Sequence, residues 1–76
     1  MPRYLFHVHD ERDIPDEDGA DLPDLQAVQA EAIRAAGEML RDIDGAFTGE
    51  EWRMDVTDEA GRPVLTLRFS VTEPAR

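Results

Sequence analysis

Between Arg3 and His9 the chain alternates, with Tyr4, Phe6 and Val8 on one side of an extended backbone and Arg3, Leu5, His7 and His9 on the other. Two aromatics and a valine add strand preference, so the pattern predicts a strand over residues 3–9. The alternation then stops. Asp10 to Asp13 are charged and predict a loop, and Ile14-Pro15-Asp16-Glu17-Asp18-Gly19 carries the proline and glycine that punctuate turns. A short returning strand is expected over residues 20–22.

From Leu25 the period changes to that of a helix. Leu25, Val28, Ala32, Ala35, Ala36, Met39, Leu40 and Ile43 recur at spacings of three and four, which predicts a helix over 24–44. Asp24 is placed to cap it, Arg34 and Glu38 form an i,i+4 pair on its polar side, and Gly45 is a natural stop. Alternation returns over 52–57, where Trp52, Met54 and Val56 share one side. Asp58-Glu59-Ala60-Gly61 predicts a hairpin turn, with Gly61 able to adopt positive φ. The second arm runs over 64–71, with Leu65, Leu67, Phe69 and Val71 inward.

The reading is therefore α+β: a single domain over 1–76, in the order β-β-α-β-β, with one amphipathic helix packed on a mainly antiparallel sheet of about four strands. Its expected core is Tyr4, Phe6, Val8, Leu25, Val28, Ala32, Met39, Ile43, Trp52, Met54, Val56, Leu65, Leu67 and Phe69. A single helix covers one sheet face, which leaves Arg3, Leu5, His7, His9, Arg53, Asp55, Thr57, Thr66 and Arg68 on the other. Basic and imidazole groups collect there in an otherwise acidic chain. Arg3, Leu5, His7, His9, Arg53, Asp55 and Arg68 are accordingly the expected interaction surface, for a protein partner or a second copy.

Charge narrows the choice of partner. Eighteen acidic residues oppose eight basic ones, for a net charge of −10. All the basic residues are arginine and none sits in a run, which argues against direct nucleic-acid binding. Eight carboxylates (Asp10, Glu11, Asp13, Asp16, Glu17, Asp18, Asp21, Asp24) crowd before the helix, and seven more (Asp42, Asp44, Glu50, Glu51, Asp55, Asp58, Glu59) follow it. Such clusters suit an acidic decoy that occupies a nucleic-acid-binding surface of another protein. The opening residues hold no long apolar run and no stretch reaches spanning length, so no membrane and a cytoplasmic address are expected.

Metal and catalytic readings gain little. His7 and His9 at i,i+2 on a strand, with Asp55 as a third group, have the geometry of metal ligands, but two ligands at that spacing are common by chance. Asp16-x-Asp18-Gly19 suggests a calcium loop, yet Ile14 and Leu25 stand where it needs oxygen ligands. Asp42-x-Asp44-Gly45 places Glu51 correctly, but its first ligand would be Leu40. There is no cysteine, Ser70 is the lone serine, and no nucleophile or phosphate-loop motif occurs. No enzyme, no cofactor and no metal are expected, with divalent-ion binding kept as an alternative.

Several short stretches together resemble one family. They are Pro2-Arg3-Tyr4-x-Phe6-His7, Pro15-Asp16-Glu17-x-Gly19, Leu22-Pro23-Asp24-Leu25, Ala30-Glu31-Ala32, and Asp58-Glu59-x-Gly61-Arg62 followed by Val64-Leu65. The chain is similar over nearly its whole length to a family of short bacterial proteins known only as a domain of unknown function. It differs from that pattern at Leu5 and His9. The resemblance implies a family and no activity. A fainter similarity, of fold alone, is to HicB-type antitoxins.

Overall fold

A computed structural model of the chain describes residues 2–10, 13–42, 51–72 and 74. Five strands and one helix follow in order: β1 (Arg3–His9), β2 (Asp13–Ile14), β3 (Ala20–Asp21), α1 (Leu25–Arg41), β4 (Trp52–Asp58) and β5 (Pro63–Phe69). The class is α+β, as the two hydrophobic periods predict. All pairings are antiparallel.

The sheet order is β2-β1-β4-β5, with β3 also pairing with β1. β1 thus lies inside the sheet, joined to β4 over six residue pairs from Tyr4↔Asp58 to His9↔Arg53. Its other edge meets β2 at Val8 and His9, and β3 at Arg3 and Tyr4. The expected loop at Asp13 and turn at Ile14 are therefore corrected: both residues belong to β2. Two residues are too few to show an alternation, and pairing to β1 defines them instead.

The helix begins where its cap directs. Asp24 has extended backbone angles and its carboxylate accepts the Ala27 amide at 2.8 Å. At the other end Arg41 lies in the last turn and Asp42 is the C-cap, so α1 is shorter than the expected 24–44. The expected stop at Gly45 and the core position Ile43 lie outside the described residues. Arg34 bonds both Glu31, at 2.6 Å, and Glu38, at 2.9 Å, on the polar side.

Under the helix the core is Val8, Val28, Ala32, Ala36, Trp52, Met54 and Val56, with Tyr4, Phe6, Leu65 and Leu67 half-buried around it. β4 supplies three of these because it has a strand on both sides and the helix above. Each fully buried large side chain is worth about 1.5–3 kcal/mol. Three expected core residues are corrected: Leu25 is 60% exposed, Met39 43% and Phe69 36%. Leu25 opens α1, Met39 lies in its last turns, and Phe69 ends an outermost strand. Periodicity names the face a residue occupies, but burial also needs neighbours on all sides. Val71, expected inward, lies past the end of β5 and is 55% exposed.

The β4–β5 turn is held by Asp58, whose carboxylate accepts the amides of Ala60 at 2.9 Å and Arg62 at 3.0 Å. Gly61 has φ +84° there. A register irregularity at Val56/Thr57 brings Thr57 opposite Pro63, which has no N–H to contribute to a ladder.

Candidate functional site

On the face away from α1 the register places the expected surface residues in rows. His9, Arg53 and Arg68 lie side by side across β1, β4 and β5, as do His7, Asp55 and Thr66 in the next row. Asp55 ties the rows together. Its Oδ2 accepts from Arg53 Nε at 3.0 Å and meets His9 Nε2 at 3.1 Å, while its Oδ1 accepts from the Thr66 hydroxyl at 3.0 Å. His9 Nδ1 meets the exposed Asp13 carboxylate at 2.7 Å. A carboxylate can only accept, so a ring protonated on both nitrogens serves both partners and a neutral ring serves one.

His7 is used differently. The backbone N–H of Asp16 donates to its Nδ1 at 3.1 Å, which leaves the ring's proton on Nε2 to be donated to the Thr57 hydroxyl at 3.1 Å. His7 and His9 therefore aim at separate partners. No group of three or more His, Cys, Asp or Glu residues that could hold a metal ion occurs among the described residues. Arg3 stands apart at the start of β1, bonded to Asp21 at 3.3 Å, and Arg68 reaches Glu51 at 3.6 Å. Of the seven expected surface residues, the structure gathers His9, Arg53 and Asp55 into one cluster, with His7 beside it. The face is a network of satisfied polar groups.

Asp16 is the residue that sequence reasoning missed. Between β2 and β3 the chain leaves the edge of β1, and the Asp16 side chain fills the gap. Its Oδ2 accepts the Phe6 amide at 3.1 Å, and its Oδ1 accepts the amides of Asp18 at 3.1 Å and Gly19 at 3.2 Å. Partial burial works to raise the pKa of this carboxyl. The bonds from Phe6, Gly19 and Asp18 outweigh it and hold the group below the usual carboxylate range. Gly19 closes the turn at φ +70°, where a Cβ would lie 2.6 Å from the Tyr4 carbonyl oxygen and 2.8 Å from Leu5.

A signal for this was present. Asp16-Glu17-Asp18-Gly19 and Asp58-Glu59-Ala60-Gly61 share one pattern, and in both the aspartate accepts the amide two residues on while the glycine takes positive φ. The second is the hairpin turn that the sequence predicts; the first is the same turn doing a strand's work at a sheet edge.

On the helix side of that edge lies a groove of about 300 Å³. Phe6 and Val8 form its floor, Ile14 and Pro15 one wall, and Ala35 and Met39 of α1 the other, with Asp16 and Glu31 also lining it. Ile14 is 45% exposed and Met39 43%, so the apolar walls are open to solvent. Glu31 is held ionised by the Arg34 guanidinium, whose hydrogen bond and charge outweigh the effect of burial. Glu17, Asp18 and Glu38 stand exposed on the same loop and helix. The groove combines greasy walls with a negative rim.

Among the described residues no helix is long and apolar enough to cross a membrane. No curated protein and no solved structure matches the chain. A family model does match, over residues 3–70, and the chain belongs to the family it describes, the Domain of unknown function (DUF6894).

Proposed function

We propose that this protein is a non-enzymatic interaction module, and that its binding surface is the acid-rimmed groove rather than the polar sheet face. The groove carries the reading. Its walls leave Ile14 and Met39 half in water, whereas the sheet-face side chains already satisfy one another. Exposed apolar walls gain from an apolar guest, and anchors in such pockets supply most of an interface's binding energy.

The rim selects the guest's charge. Asp16 and Glu31 line the groove, and Glu17, Asp18 and Glu38 are exposed next to them in sequence or on the same helix, with Arg34 bonded to Glu31 and Glu38. A chain of net charge −10 repels acidic partners at long range and attracts basic ones. The occupant is thus a protein segment that presents a bulky apolar side chain flanked by lysine or arginine. Catalysis finds no support here: the histidine nitrogens are engaged in positioning contacts, and the chain has no cysteine.

The test uses a fluorescein-labelled Lys-rich peptide carrying a central Phe-Leu pair, and the same peptide with that pair changed to alanine. Anisotropy should show the first binding at least about tenfold tighter, a difference of about 1.4 kcal/mol. Ile14→Ser and Met39→Ser should remove that advantage, since both sites are exposed and tolerate polarity. Equal binding of both peptides, falling steeply with salt, would overturn the groove and favour the acidic-decoy reading instead.

A further inference from the structure

β5 ends the sheet order, and among the described residues no strand pairs with its outer side. A seven-residue strand in that position is a template for another strand. Proteins that keep such an edge solitary place charges or prolines along it. β5 has Pro63 and the register irregularity at its start and Arg68 near its end, and Leu65-Thr66-Leu67 between them carry neither charge, proline nor bulge.

The distribution of charge indicates which strand fits. In a chain with eighteen acidic residues, the stretch from Arg62 to Thr72 contains none. At about 100° per residue, the side of α1 turned away from the groove carries Gln26, Gln29, Ile33 and Gly37. All four are exposed and uncharged, and Ile33 is 54% exposed. Two copies of net charge −10 repel each other over most of their surfaces. On this flank the nearby carboxylates, Asp55 and Glu51, are already engaged by Thr66 and Arg68.

We propose that two copies of this chain join antiparallel along β5, about a two-fold axis through Thr66, so that both helices lie on one side of a continuous sheet. Centred there, Val64 faces the partner's Arg68 and Ser70 faces the partner's Arg62. No like charges stand directly opposite across the seam, an arrangement that costs nothing electrostatically. The exposed Ile33 of each copy lies on the side of α1 turned away from the groove. This surface lies across the molecule from the groove and does not depend on it.

Sedimentation of the full chain from micromolar to about 0.2 mM should show a monomer–dimer equilibrium that tightens as salt screens the net charge. Thr66→Lys sets two ammonium groups face to face and should weaken the dimer at least about tenfold. Because Thr66 also bonds Asp55, circular dichroism must show this variant folded. Ser70→Glu and Ser70→Arg, at an exposed position, give the independent check: the first faces Arg62 and should tighten the dimer, the second should loosen it. A monomer throughout the range, a dimer indifferent to Thr66→Lys and Ser70→Arg, or a dimer weakened by salt would overturn the proposal.

Discussion

One side of the sheet is closed by two strands of two residues each, with the Asp16 carboxylate set between them, and the other side ends on seven residues of β5. Both are edges of the same sheet, yet the first is built from turns and acidic groups and the second from a mainly apolar strand that carries no carboxylate of its own. The difference teaches that acidity here is placed rather than spread. Carboxylates accept the amides that the closed edge leaves over and line the groove beside it; β5 itself carries none, and among the described residues no side chain caps its outer edge.

That contrast can be broken most severely at Gly19. Gly19→Ala forces a side chain onto positive φ and into the Tyr4 carbonyl, and should cost about 3 kcal/mol in urea denaturation. A loss under about 1 kcal/mol would mean the closed edge yields easily.

Asp16→Ala comes next, at about 2 kcal/mol, because the Phe6, Asp18 and Gly19 amides lose a charged acceptor together. Its pH signature follows from the lowered pKa. The unfolded carboxyl binds its proton more readily than the folded one, so this stabilisation is full above the ordinary carboxylate range and fades as pH falls below about 4. Asp16→Asn should therefore flatten the acid side of the stability curve, measured by thermal melts from neutral pH to about pH 3.

The open side should respond far less. Gly37→Ala adds a methyl that meets nothing within 4 Å and should stabilise α1 by about 0.5–1 kcal/mol, read as a raised melting temperature. Arg68→Ala removes a surface ion pair at 3.6 Å and should shift monomer stability by less than about 0.5 kcal/mol. A larger loss there would show that the β5 edge is held by its charges after all.

The same contrast explains what the sequence made legible. β1, β4, β5 and α1 announce themselves because alternation and the helical period persist over seven or more residues. Asp13 and Ile14 show no period, since a two-residue strand is defined by its partner. Asp24 was readable as a cap because capping is local, whereas Asp16 acts on Phe6, ten residues away, which spacing does not reveal. The candidate surface was legible by face only. His9, Arg53 and Asp55 do share it, but that they bind one another depends on a register between distant strands.

The pairing of β1 with β4 also has a consequence for how the chain assembles. His7 and Thr57 touch across 50 positions of sequence, so β1 acquires its principal neighbour only after most of the chain has been made, while β4 and β5 close locally around Asp58. During synthesis the apolar row Tyr4, Phe6, Val8 must wait, and an uncovered strand of that kind is the species that aggregates. Asp16, Gly19 and the two small strands lie within reach as soon as residue 21 has emerged. The carboxylate that finishes the edge thus draws all its bonds from residues 6–19 and needs nothing made after them.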